Sequence, residues 1–236
     1  MPAVPSLSVI VPARNEAPTV AELIARVRAT GLVQEIVVVD DGSTDATREI
    51  LTRLANSGTP PLRIFSHQRS HGKGAAVRTG LAGVTGGIVL IQDADLEYDP
   101  ADYHALLAPF ADSSVQAVYG SRNLRPGNGR SNPAFYWGGR FLSWFANRLY
   151  GGRLTDEATG YKVVRTDLLR GLDLRTSGFD FCAELTGKLL RRKVRIVEVP
   201  VSYRPRSRAE GKKIRWHDGL DAIWTLLKIR LRRQQL

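Results

Sequence analysis

Residues 35–55 read EIVVVDDGSTDATREILTRLA. Residues 36–39 are an uninterrupted Ile/Val run, short and β-branched, which predicts a strand covered on both faces. Asp40, Asp41 and Gly42 end the run. Residues 44–55 then predict a helix, with Asp45 as a fitting cap. The same alternation runs through the first half of the chain. Strands are expected at 7–11, 62–65, 88–91 and 115–119, and helices at 17–28, 74–84 and 101–110. Strands alternating with helices of this length predict an α/β fold with a parallel sheet. The second half is less regular. It holds an aromatic helix at 134–149, mixed segments at 157–170, a helix at 180–192, a strand at 194–203, a basic loop at 204–215 and a helix at 217–233. No repeat or linker-like stretch interrupts it, so the chain reads as one domain, 1–236.

The chain has 236 residues, 43% hydrophobic and 24% charged, which excludes wholesale disorder and collagen-like structure. Its single cysteine, Cys182, excludes a disulfide framework and any multi-cysteine metal site. No apolar run approaches the ~20 residues that span a bilayer, and residues 1–11 predict a strand, not a leader. Charge is uneven. Residues 1–120 carry 9 Lys+Arg and 13 Asp+Glu, whereas residues 121–236 carry 25 and 10. An acidic half beside a basic one suggests a catalytic part and a part that meets phosphates. Phe135, Tyr136, Trp137, Phe141, Trp144, Phe145 and Tyr150 crowd the basic half. That favours a membrane surface over a nucleic-acid duplex, and no nucleic-acid partner is expected.

In open parallel sheets, ligands bind beyond the carboxyl ends of the strands. The unusual residues fall there four times: Asn15-Glu16, Asp40-Asp41-Gly42-Ser43, the stretch 66–74, and Asp93-Ala94-Asp95-Leu96-Glu97. Asp93 and Asp95 repel one another unless a cation or a proton lies between them. Alone, Asp-x-Asp also fits a cap or a calcium loop. At a strand end beside other acidic loops, it points to Mg²⁺ or Mn²⁺ shared with a substrate diphosphate. His71-Gly72-Lys73-Gly74 lacks phosphate-loop spacing. It reads equally as a phosphate contact through Lys73 and the helix N-terminus, or as a tight turn. The four histidines show no metal spacing.

These motifs resemble family 2 glycosyltransferases of the GT-A fold. The pieces are Val9-Ile10-Val11-Pro12-x-x-Asn15-Glu16, residues 39–45 (VDDGSTD), Gly72-Lys73-Gly74-Ala75-Ala76 and Asp93-Ala94-Asp95. The second half is similar to the dolichol- or polyprenyl-phosphate mannose synthases of that family. It carries Gly120-Ser121-Arg122, Thr155-Asp156-x-x-Thr159-Gly160-Tyr161-Lys162, Glu198-Val199-Pro200-Val201 and Arg206-x-x-x-x-Gly211-Lys212.

The resemblance covers residues 6–215. It implies a GT-A, Rossmann-like, mostly parallel sheet flanked by helices, with amphipathic C-terminal interface helices. Residues 6–122 would form the nucleotide-sugar and metal half, 123–215 the acceptor half, and 216–236 an interfacial helix. Pro12, Arg14, Glu16, Val39, Asp41, Lys73, Asp93, Ala94 and Asp95 would bind the nucleotide sugar. Asp93, Asp95 and Glu97 would hold Mg²⁺ or Mn²⁺. Arg122, Arg206 and Lys212 would face the acceptor phosphate and, with Asp95, act in catalysis. Arg14 stands where the family often has an aromatic, and Glu97 where Gln or Ser is common. Trp216 follows Arg215, but no Gln stands three residues before that Arg, so the signature of processive synthases is not met.

The implied reaction is inverting transfer of mannose or glucose from a nucleotide sugar to a polyprenyl or dolichyl phosphate. GDP-mannose is the favoured donor, with a UDP-sugar as the alternative. The expected location is peripheral, on the cytosolic membrane face. Leu220, Ile223, Trp224, Leu227 and Leu231 lie along one side of the last helix, with basic residues beside them, as in an interfacial helix or in a core-packed helix with a solvated basic edge. The alternative is a family 2 enzyme with a glycan or small hydroxyl acceptor. It would need a carboxylate base, for which Asp156 is the candidate.

Overall fold

In the computed structural model, residues 5–56, 58–129, 132–206, 213 and 215–231 are described. Seven strands form one sheet: β1 (Leu7–Ala13), β2 (Val33–Asp40), β3 (Leu62–Ser66), β4 (Ile88–Ile91), β5 (Ala117–Ser121), β6 (Lys162–Arg165) and β7 (Ile196–Pro200). Their order is β3-β2-β1-β4-β6-β5-β7. All neighbours run parallel except β6, which is antiparallel to both β4 and β5. The sheet is therefore mostly parallel, as expected, with one reversed strand that the sequence left among mixed segments.

The helices are α1 (Val20–Ala29), α2 (Thr47–Ala55), α3 (Lys73–Gly83), α4 (Tyr103–Leu107), α5 (Pro133–Tyr150), α6 (Thr166–Gly171), α7 (Phe181–Arg191) and α8 (Trp216–Leu231). Alternate strand residues face opposite layers. Val9, Val11, Ile36 and Val38 pack with α1, Leu51 of α2 and Leu106 of α4. Ile10, Val37, Val89 and Ile91 pack with Val77 of α3 and Phe181, Leu185 and Leu189 of α7. Helices cover both faces, which is why the strands read as continuous apolar runs.

Several boundaries differ from expectation, among them that of α2, which starts at Thr47 rather than at 44. α1 starts at Val20, because the backbone before it is turned by bonds such as Ala17 N–H to Asp45 at 3.2 Å. The expected helix at 101–110 is a short α-helix between two 3₁₀ turns, the second of them containing Pro109, which offers no N–H. β7 stops at Pro200, and residues 201–206 leave the sheet as a strap over its carboxyl edge. Gly120 permits this crossing: a Cβ there would collide with Val201.

α5, α7 and α8 pack on one another through Ala146, Ala183, Ala222 and Leu226. Asn132 caps α5 by accepting from Ala134 N at 3.0 Å, Pro133 opens the helix, and Gly151, at φ 72°, closes it. Outward, the two long helices expose Trp137, Phe141 and Trp144 (α5) and Trp216, Leu220, Trp224 and Leu231 (α8).

Candidate active site

The four strand-end loops and the strap are bonded into one ring. The first joins the second through Asn15 N–H to Ser43 Oγ (2.9 Å) and Thr44 N–H to Asn15 Oδ1 (2.8 Å). Asn15 adopts a left-handed φ of 50° to make these contacts. The second joins the third through Asp41, which accepts from His67 Nδ1 (2.7 Å), Ser70 Oγ (2.7 Å), His71 N (2.8 Å) and Gly72 N (2.8 Å). Burial pushes the Asp41 carboxyl up, but the bonds from His71, His67, Ser70 and Gly72 prevail and hold it below the ordinary range. Asp40, fully buried, accepts from Arg48 Nε at 2.8 Å.

The third loop joins the fourth through Lys73 and Asp93, 2.5 Å apart. Burial opposes the Lys73 charge, but Asp93 and Asp95 raise its pKa above the ordinary range. The N-terminus of α3 is already occupied by protein. Gly74 N (2.8 Å) and Ala75 N (3.3 Å) both donate to Ser177 O. A Cβ at Gly72 or Gly74 would collide with the backbone of Ser177 or Thr176. These glycines therefore serve close backbone approach, and Lys73 is the cation this motif contributes to the site. Gly160 has a similar role, because a Cβ there would sit 2.5 Å from Asp93 Oδ2.

The strap closes the ring. Arg206 Nη2 donates to Asp95 Oδ2 at 3.0 Å, and Arg206 Nη1 to Glu16 Oε2 at 3.1 Å. Lys213 adds a bond to Glu16 Oε1 at 2.6 Å and one to the Arg14 carbonyl. Arg206 Nε is buried with no hydrogen-bond partner among the described residues. Asp95 is pushed up to about 7, by burial first and then by the charges of Asp93 and Glu97, with Arg206 opposing. Leu96, at φ 60°, turns the chain between Asp95 and Glu97.

Glu97 faces the strap. Its Oε1 accepts from Arg206 N (2.8 Å), its Oε2 from Tyr203 Oη (3.1 Å), and its carbonyl from Arg204 N (2.8 Å). No group of three or more His, Cys, Asp or Glu suited to a metal occurs among the described residues. The donor set nevertheless fits Mg²⁺ or Mn²⁺. Asp93 and Asp95 offer hard oxygens, and their crowding already draws two cations, Lys73 and Arg206. Such ions commonly take one or two carboxylates and complete their shell with substrate phosphates and water.

The remaining expected residues are placed as follows. Pro12 and Val39 are register partners in β1 and β2. Val39 and Ala94 are buried, so main chain is what they can offer a ligand, while Arg14 is exposed. Arg122 donates to Asp156 twice, from Nε (2.7 Å) and Nη2 (2.6 Å), and lies 5.0 Å over the Tyr203 ring. Asp156 is 1% exposed. Lys212, Gly211 and Arg208 lie outside the described residues. Sequence reasoning missed the residues that hold the strap. Asp102 accepts from Ser202 N (2.6 Å), and Asn128 from Tyr203 N (3.0 Å). Neither carries a linear signal, since each acts across more than seventy residues of chain.

Residues 8–172 match Glycosyl transferase family 2. The chain belongs to this family. It is 31% identical to a dolichol-phosphate mannosyltransferase of Pyrococcus furiosus over 87% of its length, and spans 58% of that protein. It is 30% identical to an undecaprenyl-phosphate mannosyltransferase of Micrococcus luteus, covering 94% of this chain and 97% of the relative. It is also 30% identical to a polyprenol monophosphomannose synthase of Mycolicibacterium smegmatis, over 88% and 82%. Among solved structures, glucosyl-3-phosphoglycerate synthase of Mycobacterium tuberculosis with bound UDP superposes with a TM-score of 0.74 at 22% identity. That match covers 98% of this chain and 82% of the other. The same synthase has been crystallised with Mg²⁺ and UDP. The fold of this family 2 glycosyltransferase is GT-A.

Proposed function

We propose that this glycosyltransferase moves mannose, from GDP-mannose, to a polyprenyl phosphate at the cytosolic face of a membrane, with inversion. The observation that carries the acceptor assignment is the state of Asp156. A hydroxyl acceptor needs a carboxylate base. Asp156 is sealed from solvent and both its oxygens are bound to Arg122. A lipid phosphate needs no base: its second pKa is about 6, so it is anionic near neutral pH.

In this reading, a phosphate oxygen of the lipid attacks the anomeric carbon as the bond to the nucleoside diphosphate breaks. A divalent metal would be held by Asp93 and Asp95 and would supply charge for the departing diphosphate, whereas Glu97, expected as a third ligand, has both carboxylate oxygens engaged by Arg206 N and Tyr203 Oη. Lys73 lies beside the same carboxylates. In this reading Arg206 exchanges its grip on Asp95 and Glu16 for phosphate, and its buried Nε, without a partner among the described residues, is a further donor it can offer. Arg122 and Lys212 complete the acceptor side. Pro12, Glu16, Val39 and Asp41 border the nucleoside, Asp41 through the loop it holds.

The outward aromatic faces of α5 and α8 support the membrane side of this reading. Trp137 is 67% exposed, Trp144 58%, Trp216 73% and Trp224 55%. Lys228 lies 5.2 Å over the Trp224 ring. Indole rings flanked by basic side chains suit the headgroup level of anionic membranes. No helix among the described residues is long and apolar enough to cross a bilayer.

The test is incubation with Mn²⁺ or Mg²⁺, undecaprenyl phosphate and a panel of labelled GDP- and UDP-sugars. Label should enter the organic phase from GDP-mannose, and EDTA or Asp95→Ala should abolish the transfer. Label from a UDP-sugar alone would replace the donor. No label from any donor, with metal-dependent nucleotide binding intact, would move the acceptor to a non-lipid one.

A further inference from the structure

We propose that Glu198 positions Arg122 for the acceptor, acting through the Thr155-Asp156 turn. Glu198 lies on β7 and is partly buried. Its Oε2 accepts from Thr155 N at 2.7 Å and its Oε1 from Asp156 N at 3.0 Å. One carboxylate thus clamps two consecutive N–H groups and fixes the direction in which the Asp156 side chain leaves the backbone.

That direction decides where Arg122 goes. Asp156 Oδ2 accepts from Arg122 N (2.9 Å) and Nε (2.7 Å), and Oδ1 accepts from Nη2 (2.6 Å). Two more bonds tie the same turn to the end of β5: Ser121 Oγ to Thr155 Oγ1 at 2.6 Å, and Asn123 Nδ2 to Thr155 O at 2.8 Å. The guanidinium is held by one edge, and no bond among the described residues uses Nη1. An arginine fixed in this way gives up its rotamer freedom during folding rather than when a phosphate arrives. A carboxylate is required at 198 because it presents two acceptors. An amide keeps one acceptor and turns N–H groups towards a backbone donor, which would open the turn.

This inference rests on the assignment of Arg122 to the acceptor phosphate, so its test reads the two separately. The variant is Glu198→Gln. The first readout is the Arg122 Nε–H resonance, identified by its loss in Arg122→Lys. The second is KM for a short-chain isoprenyl phosphate and for GDP-mannose. The Arg122 signal should shift or broaden. The acceptor KM should rise about tenfold, the scale of one lost hydrogen bond, with the donor KM unchanged. Asp156→Asn, which removes the Arg122 contact directly, should reproduce this pattern, and Glu198→Asp, which keeps both acceptors on a shorter stem, is read in the same way if Glu198→Gln fails to fold. An unchanged Arg122 signal, or equal rises in both KM values, would overturn the positioning role. A disturbed signal with acceptor KM untouched, in Arg122→Lys as well, would uphold the link between Glu198 and Arg122 and remove Arg122 from the acceptor site.

Discussion

Asp95 sits in an electrostatic conflict that Arg206 relieves. Asp95 shares a short loop with Asp93 and Glu97, and a cation or a proton must relieve their repulsion. In the structure Lys73 and Arg206 supply the positive charge, and in the proposed function a divalent metal would. Asp95→Asn should therefore weaken Mn²⁺ binding at least tenfold by calorimetric titration while leaving the melting temperature near that of the wild type. Arg206→Ala should lower kcat about a hundredfold or more, the scale of a lost donor to developing charge, with the donor-nucleotide Kd changed less than threefold. Equal loss of both would place Arg206 in donor binding instead.

Elements explain why part of this was legible in the sequence. The runs at 36–39 and 88–91 are apolar throughout because helices cover both faces of the sheet, and that pattern survives in one dimension. β6 does not show it. It is four residues long, and its first residue is Lys162, a buried ammonium satisfied by the Glu157 carbonyl at 2.6 Å and the Tyr119 ring at 3.9 Å. Only the folded context makes that lysine an interior residue. Asp93 and Asp95 were readable because two carboxylates crowded at a strand end repel one another unless a cation or a proton lies between them. The double engagement of Glu97 by the strap was not, because Tyr203 and Arg206 are more than a hundred residues away.

The opposite edge of the sheet yields a pH prediction. Glu35 accepts from Ser8 Oγ (2.5 Å), Thr85 Oγ1 (2.9 Å) and Gly86 N (3.2 Å), joining β1, β2 and the turn before β4. Burial raises its pKa, but the Ser8, Thr85 and Gly86 bonds outweigh that and leave it lowered. A depressed folded pKa gives stability that is present above the unfolded value and lost as pH falls through the folded one. Glu35→Gln should cost about 1–3 kcal/mol at pH 7, with the gap to wild type closing in acid. Urea melts at pH 7 and in the acid range check this. A gap that persists in acid would assign the loss to packing.

At the scale of the whole molecule, the proposed function assigns the donor to the acidic carboxyl edge and the lipid to the exposed aromatic faces of α5 and α8. Replacing Trp137 and Trp224 with Ser should cut co-sedimentation with anionic liposomes several-fold without lowering thermal stability, because both rings are mostly exposed. Undiminished binding would move the membrane contact elsewhere. In the proposed function the acceptor arrives already ionised and needs no base. The most direct measurement offers undecaprenyl phosphate and undecaprenol, which share one tail and differ only in the head group, to the same enzyme with labelled GDP-mannose. Labelled product should form from the phosphate alone. Comparable product from the alcohol would contradict it, and would require a base that the bound state of Asp156 does not provide.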